Sequence, residues 1–196
     1  MAEIASALDV AEGTIYLYFP TKQALVIGVV LAWYGDIVDE TERTLGQFST
    51  PLDRLEYLIR QHIEMILAQP SMYLLFIREV RASPVYESSG GRALNRRYTD
   101  LLRTAIEGLT PNSTLAFPFQ RDLVYGGVEH VAWSAIQHPT GVALDVSAMA
   151  RLLALTYAKA FGADSFSHQD VGCSITERFD RIDRAIDALS VRLGSL

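Results

Sequence analysis

The sequence holds a single cysteine, Cys173, in 196 residues. One thiol excludes an internal disulfide framework and a zinc site built on several cysteines. Long apolar runs are missing too. The longest uncharged stretch near the N-terminus, Gln23 to Gly35, falls short of the about 20 apolar residues that cross a bilayer. No basic segment leading into an apolar one opens the chain, so no signal peptide is expected. These absences predict a cytoplasmic chain that does not span a membrane. Positive charge is scarce: 17 Lys and Arg face 23 Asp and Glu, for a net charge of −6. That excludes a protein that coats nucleic acid with its whole surface. It leaves room for a small contacting tip, where only the local field counts. In the first 25 residues the only basic side chain is Lys22, against Glu3, Asp9 and Glu12.

Catalytic patterns are also lacking. There is no nucleophile elbow, no phosphate-cradling glycine loop, no dinucleotide glycine pattern and no HExxH. The pair Glu129 and His130, with His138 or His62, comes nearest to a metal site, but the spacing is loose. No enzyme activity, cofactor or metal is expected.

What is present is helical periodicity almost throughout, with no run of strand-like alternation. Two short helices are predicted over 2–8 and 11–18, joined by a turn at Asp9-Val10, since Asp tolerates turn conformations. Pro20-Thr21 caps a long helix from about 22 to 48, with an apolar stripe of Leu25, Val29, Trp33, Ile37, Leu45 and Phe48. Ser49-Thr50-Pro51 opens a helix over 51–68 that carries Leu52, Leu55, Ile59, Ile63 and Ile66 on one side. A helix over 72–82 is apolar nearly all round and is expected to be central. Further helices are expected over 92–109, 119–137 and 145–162. An irregular stretch at 164–174 and a last amphipathic helix over about 175–193 complete the chain.

The segment from Ile4 to Leu25 is the most informative. A short helix, a tight turn, a second short helix and an aromatic hinge are the parts of a helix-turn-helix reader, whose second helix enters the major groove. Ile4, Ala5, Leu8, Val10 and Ile15 are expected to form its small core. Gly13 and Thr14 are small enough for close approach to a duplex. Tyr16, Tyr18, Thr21 and Lys22 offer hydroxyls and an ammonium to phosphate oxygens. Ile4, Ala5, Val10, Gly13, Thr14, Ile15, Tyr16, Tyr18, Phe19 and Lys22 together are similar to the N-terminal signature of the TetR family of bacterial ligand-responsive repressors.

That resemblance implies an all-α, TetR-like fold. Residues 1–24 would be a partial helix-turn-helix domain and residues 25–196 a ligand-binding and dimerisation body. It places DNA contacts at Ala11, Glu12, Gly13, Thr14, Tyr16, Leu17, Tyr18, Thr21 and Lys22. Three positions depart from the pattern. Asp9 stands for the turn glycine, Glu12 for a basic or polar residue, and Leu17 for a polar one. Family members also carry a further helix before these two, with a basic arm. Here Met1 already falls in the second helix, so a start placed too late or an incomplete head is expected.

The resemblance also implies a homodimer built on the two strong helices near the C-terminus. Its interface would include Gly127, His130, Val131, Ser134, Leu152, Leu155, Thr156 and Lys159. Effector contacts are expected from Trp33, Tyr57, His62, Met65, Phe76, Arg81, Tyr98 and Trp133, with Tyr73 beside them. The stretch from Ile77 to Tyr86 looks like the matching helix of members that sense fatty acyl-CoA, and Arg78 and Arg81 would then meet an anionic headgroup. The expected partners are operator DNA, a small hydrophobic effector and a second copy of the chain. The alternative is a helical ligand-binding dimer that has lost DNA binding.

Overall fold

A computed structural model describes residues 1–110, 113–138 and 144–162. Among them there are helices and turns and no strand. The irregular stretch and last helix expected over 164–193 lie outside the described residues.

The chain opens with α1 (Ala2–Ala7) and α2 (Glu12–Tyr18), which pack on each other. Asp9 between them takes a left-handed φ of 53°. That conformation is uncommon for residues with a side chain, and Asp is among the few that enter it. The small core expected here is only partly closed. Ala5 and Ile15 are buried, whereas Ile4, Leu8 and Val10 are exposed. Two helices this short cannot cover three further apolar side chains.

α3 (Lys22–Leu45) begins where the Thr21 hydroxyl accepts the Ala24 N–H at 3.0 Å, an N-cap read correctly from sequence. Its buried stripe is Val30, Tyr34, Val38, Thr41 and Leu45. The predicted stripe is therefore displaced by one position along most of the helix. Val29 is exposed, and Trp33 and Ile37 are half-buried. α3 is apolar on more than one side, so periodicity alone allows both stripes.

α4 (Pro51–Ala68) is capped by Thr50, with Pro at the first position. It buries nine side chains and packs against α3, α5, α6 (Gly91–Leu109), α7 (Phe117–Gln137) and α8 (Val146–Ala160). α4, not the 72–82 segment, is the central helix. The expected single helix at 72–82 is instead a short α5 (Pro70–Leu75) running into a wide π-type segment, Phe76–Arg81. The Ala82 N–H donates back five residues to the Ile77 carbonyl. Its apolar surround is spent unevenly: Phe76 and Val80 are buried, and Leu74 faces out. α8 lays Ala150, Ala154 and Ala158 against its neighbours, a row of small side chains that permits close approach.

Candidate functional site

The first candidate surface is the outer face of α2. Of the residues expected to touch DNA, Ala11, Glu12, Gly13, Thr14, Tyr16, Leu17, Tyr18, Thr21 and Lys22 are all exposed. Leu17 and Tyr18 protrude most, at 83% and 76% exposure. An exposed leucine beside an exposed tyrosine has no folding purpose in the described structure, and it matches a surface that reads thymine methyls and phosphates. α2 and α3 meet at 67° through the Phe19-Pro20 link. The Phe19 ring, half-buried, lies on Gly28 so closely that a Cβ there would stand 2.7 Å from Phe19 Cε1.

The second candidate is a cavity of about 260 Å³ lined by α3, α4, α5, the π segment, α6 and α7. It brings together His62, Phe76, Arg81 and Tyr98 from the expected effector contacts, and Tyr73 with them. Phe76 and Arg81 both line it because of the wide turn between them. In an α-helix residues five apart point about 140° away from each other, and the π form draws them toward one side.

Other expected contacts fall elsewhere. Trp33 and Met65 border a separate, more open groove of about 530 Å³, with Asp36, Ile37 and Gln61. Tyr57 is buried against Phe48, ring centroids 5.0 Å apart, with the Arg60 guanidinium 5.6 Å from its ring. Trp133 does not line the cavity; its ring lies 6.2 Å from that of Tyr73. The cavity also gains Tyr34, Asn95, Arg121, Tyr125 and Glu129, which sequence reasoning did not assign to it. Tyr34 lies on the second of two apolar stripes of α3, which periodicity does not distinguish from the first. Of the loosely spaced pair Glu129 and His130, His130 is exposed while Glu129 faces inward. Among the described residues no three His, Cys, Asp or Glu side chains gather as a metal site requires.

Glu129 organises one wall. Its Oε1 accepts the Tyr73 hydroxyl at 2.6 Å and pairs with Arg81 Nη1 at 3.3 Å. Burial first, and the Glu129 charge second, push the Tyr73 phenol pKa far up, so it stays a donor. Arg81, its side chain half exposed, thus has one anionic partner within the chain. His62, on α4, packs at a tilt against both Tyr98 and Tyr125, at centroid distances of 5.7 and 4.8 Å, and those two rings stack on each other at 5.6 Å. Its Nδ1 lies 3.1 Å from the Tyr98 hydroxyl. Burial, then the nearby Arg81 charge, lowers the His62 pKa from its usual 6.5 to about 3. Burial likewise raises the phenols of Tyr34, Tyr98 and Tyr125.

The third surface is formed by α7 and α8. Of the residues expected at a subunit interface, His130, Ser134, Leu152, Thr156 and Lys159 are exposed, and Val131 and Leu155 half-buried. Gly127 is half-buried and abuts the Tyr157 hydroxyl of its own chain, which donates to the Leu123 carbonyl at 3.0 Å. Phe119 and Leu123, both exposed, extend the same side of α7. No single helix among the described residues is long and apolar enough to cross a membrane.

Residues 1–29 match the family model for bacterial regulatory proteins of the tetR family. Over 83 residues the chain is 26% identical to the fatty acid metabolism regulator protein of Bacillus subtilis, a match covering 42% of this chain and 43% of that protein. Over 59 residues it is 34% identical to the HTH-type transcriptional repressor KstR of Mycobacterium tuberculosis, covering 30% and 27%. These matches span less than half the length of either relative. The fold is that of the transcriptional regulator FadR. The B. subtilis FadR structure, in complex with stearoyl-CoA, superposes with a TM-score of 0.65 at 19% identity, over 80% of this chain and 86% of that one. FadR of Bacillus halodurans gives 0.64 at 20% identity with the same coverage. These relatives are regulators, not enzymes.

Proposed function

We propose that this TetR-family regulator represses transcription by binding palindromic operator DNA as a cytoplasmic dimer, and that an effector in the 260 Å³ cavity releases it. The observation that carries this reading is the position of Tyr34. It lines the cavity, and it lies on α3, whose first residue is Lys22. Twelve residues of helix separate the two, about 18 Å at 1.5 Å per residue. One rigid element therefore touches both the effector space and the DNA-facing head.

Two heads in a two-fold dimer meet successive major grooves about one helical turn apart. The exposed sides of α7 and α8, with Phe119, Leu123 and Leu152, support pairing of two copies there. An effector that prefers a different tilt of α3 changes the head spacing. It lowers operator affinity by its differential affinity for the two states.

The test is fluorescence anisotropy of the full chain with DNA flanking its own gene, at several salt concentrations. Binding tighter than to random DNA, and weakening steeply with salt, is expected. Equal affinity for both DNAs sinks the repressor reading. It would favour a ligand-binding dimer without DNA function, a reading motivated by the open Ile4, Leu8 and Val10 and by the lone Lys22 of the head.

A further inference from the structure

Leu17 is the most exposed large apolar side chain among the described residues. It does not belong to the small core of the head. The residue that α2 buries is Ile15. At about 100° per residue, Leu17 points about 160° away from Ile15, close to the opposite side of the helix. Gly13 lies one turn before Leu17 and shares that outward side.

Gly13 carries a second, independent sign. A Cβ built there would meet nothing within 4 Å. Packing within the described chain therefore does not call for glycine at this position. Glycine inside a helix is less stable than alanine. A bare backbone on the outward side, directly beside a protruding leucine, fits a surface that another molecule approaches closely.

The residue types of the head limit which bases it can tell apart. Guanine is read through its two acceptors by Arg or Lys, and adenine by Asn or Gln. None of these four residue types occurs among residues 1–21. Glu12 is the only charged residue of α2, and its carboxylate is an acceptor that opposes the acceptors of guanine. Thr14, Tyr16 and Tyr18 carry hydroxyls that both give and accept, so they distinguish bases poorly and suit phosphates. The major-groove edge of thymine alone carries a methyl group, which an apolar side chain reads by contact. Leu17 is the apolar side chain on the outward side of α2.

We propose that Leu17 is the main specificity-determining residue of the head. It reads the C5-methyl group of a thymine in each operator half-site, with Gly13 giving α2 the room to come close, and no side chain of α2 reads a guanine through its acceptors. This inference rests on the regulator reading above and adds to it the chemistry by which the operator is told from other DNA.

The experiment selects duplexes from a randomised DNA library with the full chain. The winning duplex is then titrated by fluorescence anisotropy with each thymine replaced in turn by uracil, which lacks only the C5-methyl group. One thymine in each half-site is expected at which uracil weakens binding about fourfold, the effect of one buried methyl group, and about fifteenfold when both are replaced. Leu17→Ala should melt like wild type, because the side chain it trims is exposed. It should bind the thymine duplex at least as weakly as wild type binds the uracil duplex, and should not distinguish the two. That comparison isolates the methyl contact, since any change of duplex shape brought by uracil acts on both proteins alike. Gly13→Leu should melt no lower than wild type yet bind every duplex more weakly. Uracil without effect at every position overturns the proposal, as does a uracil effect that persists undiminished in Leu17→Ala, or unchanged binding by Gly13→Leu. In each of these cases the enriched duplex remains, and the regulator reading survives alone. A library from which no sequence is enriched sinks both.

Discussion

The ring of Tyr34 on α3 lies 4.4 Å from the ring of Phe76 on the π segment, centroid to centroid, and the Tyr34 hydroxyl donates to Asn95 Oδ1 on α6 at 3.3 Å. One side chain thus fastens the long helix to two cavity walls. Tyr34→Phe keeps the ring and loses the hydrogen bond, at a stability cost of about 1 kcal/mol. The expected outcome is a smaller effector-induced fall in operator affinity, with affinity in the absence of effector unchanged within about twofold. A parallel loss of both in the anisotropy titration would remove Tyr34 from the coupling.

The buried imidazole makes stability depend on pH. His62 titrates near 3 in the folded chain and near 6.5 when exposed. Above about pH 6.5 both states are neutral there and nothing is lost. As pH falls below that value the unfolded chain takes up a proton that the folded chain refuses. Stability should decline by up to about 1.4 kcal/mol per pH unit until near pH 3, where both states bind the proton. His62→Phe should flatten this part of the profile in urea melts. An unchanged slope between pH 6 and 4 would show that His62 is solvated.

Gly28 and Gly35 lie on the same helix in opposite situations. A methyl group at Gly28 would collide with the Phe19 ring, and one at Gly35 would meet nothing within 4 Å. Gly28→Ala should cost about 1–3 kcal/mol of local overpacking, relieved by displacing Phe19 and with it α2. Operator affinity is expected to drop about tenfold while the body melts nearly as before. Gly35→Ala should raise stability by roughly 0.5–1 kcal/mol through helix propensity alone. Reversal of these two signs would place the Phe19 contact in doubt.

Lys22 is the sole basic side chain among residues 1–25. If it meets one phosphate, Lys22→Ala should lower the slope of log affinity against log salt by about 0.9. The weakening should be similar for operator and random DNA, because a phosphate contact carries no sequence information. An unchanged slope shows that the ammonium stays in water.

Local signals in the sequence were legible wherever one residue decides them. Thr21, Thr50 and Asp145 each accept a backbone N–H at a helix start, and the sequence signals the first two as caps. Asp9 was expected to tolerate a turn conformation and does so at positive φ. The faces of helices were legible only where apolar and polar sides separate. On α4, Leu52, Leu55, Ile59, Ile63 and Ile66 were all placed correctly. On α3 two apolar stripes run side by side, and choosing one over the other depends on partners that sequence does not show. That choice hid Tyr34. Tyr125 was hidden for a related reason: a phenol reads as a surface residue until its neighbours are known, and here they are His62 and Tyr98. The centrality of α4 over the 72–82 segment was likewise invisible, because apolar composition does not reveal where a helix changes its winding.

That change of winding has an evolutionary consequence. A π turn is an α-helix holding one residue too many. Loss of a single codon anywhere between Phe76 and Arg81 would let the helix close up without interrupting the chain, whereas the same loss inside α4 would rotate every residue after it. The segment that tolerates such a deletion forms a wall of the cavity. Descendants of this chain can therefore acquire new specificities by changing length inside a helix, in one step, with the head and the remaining core left in register.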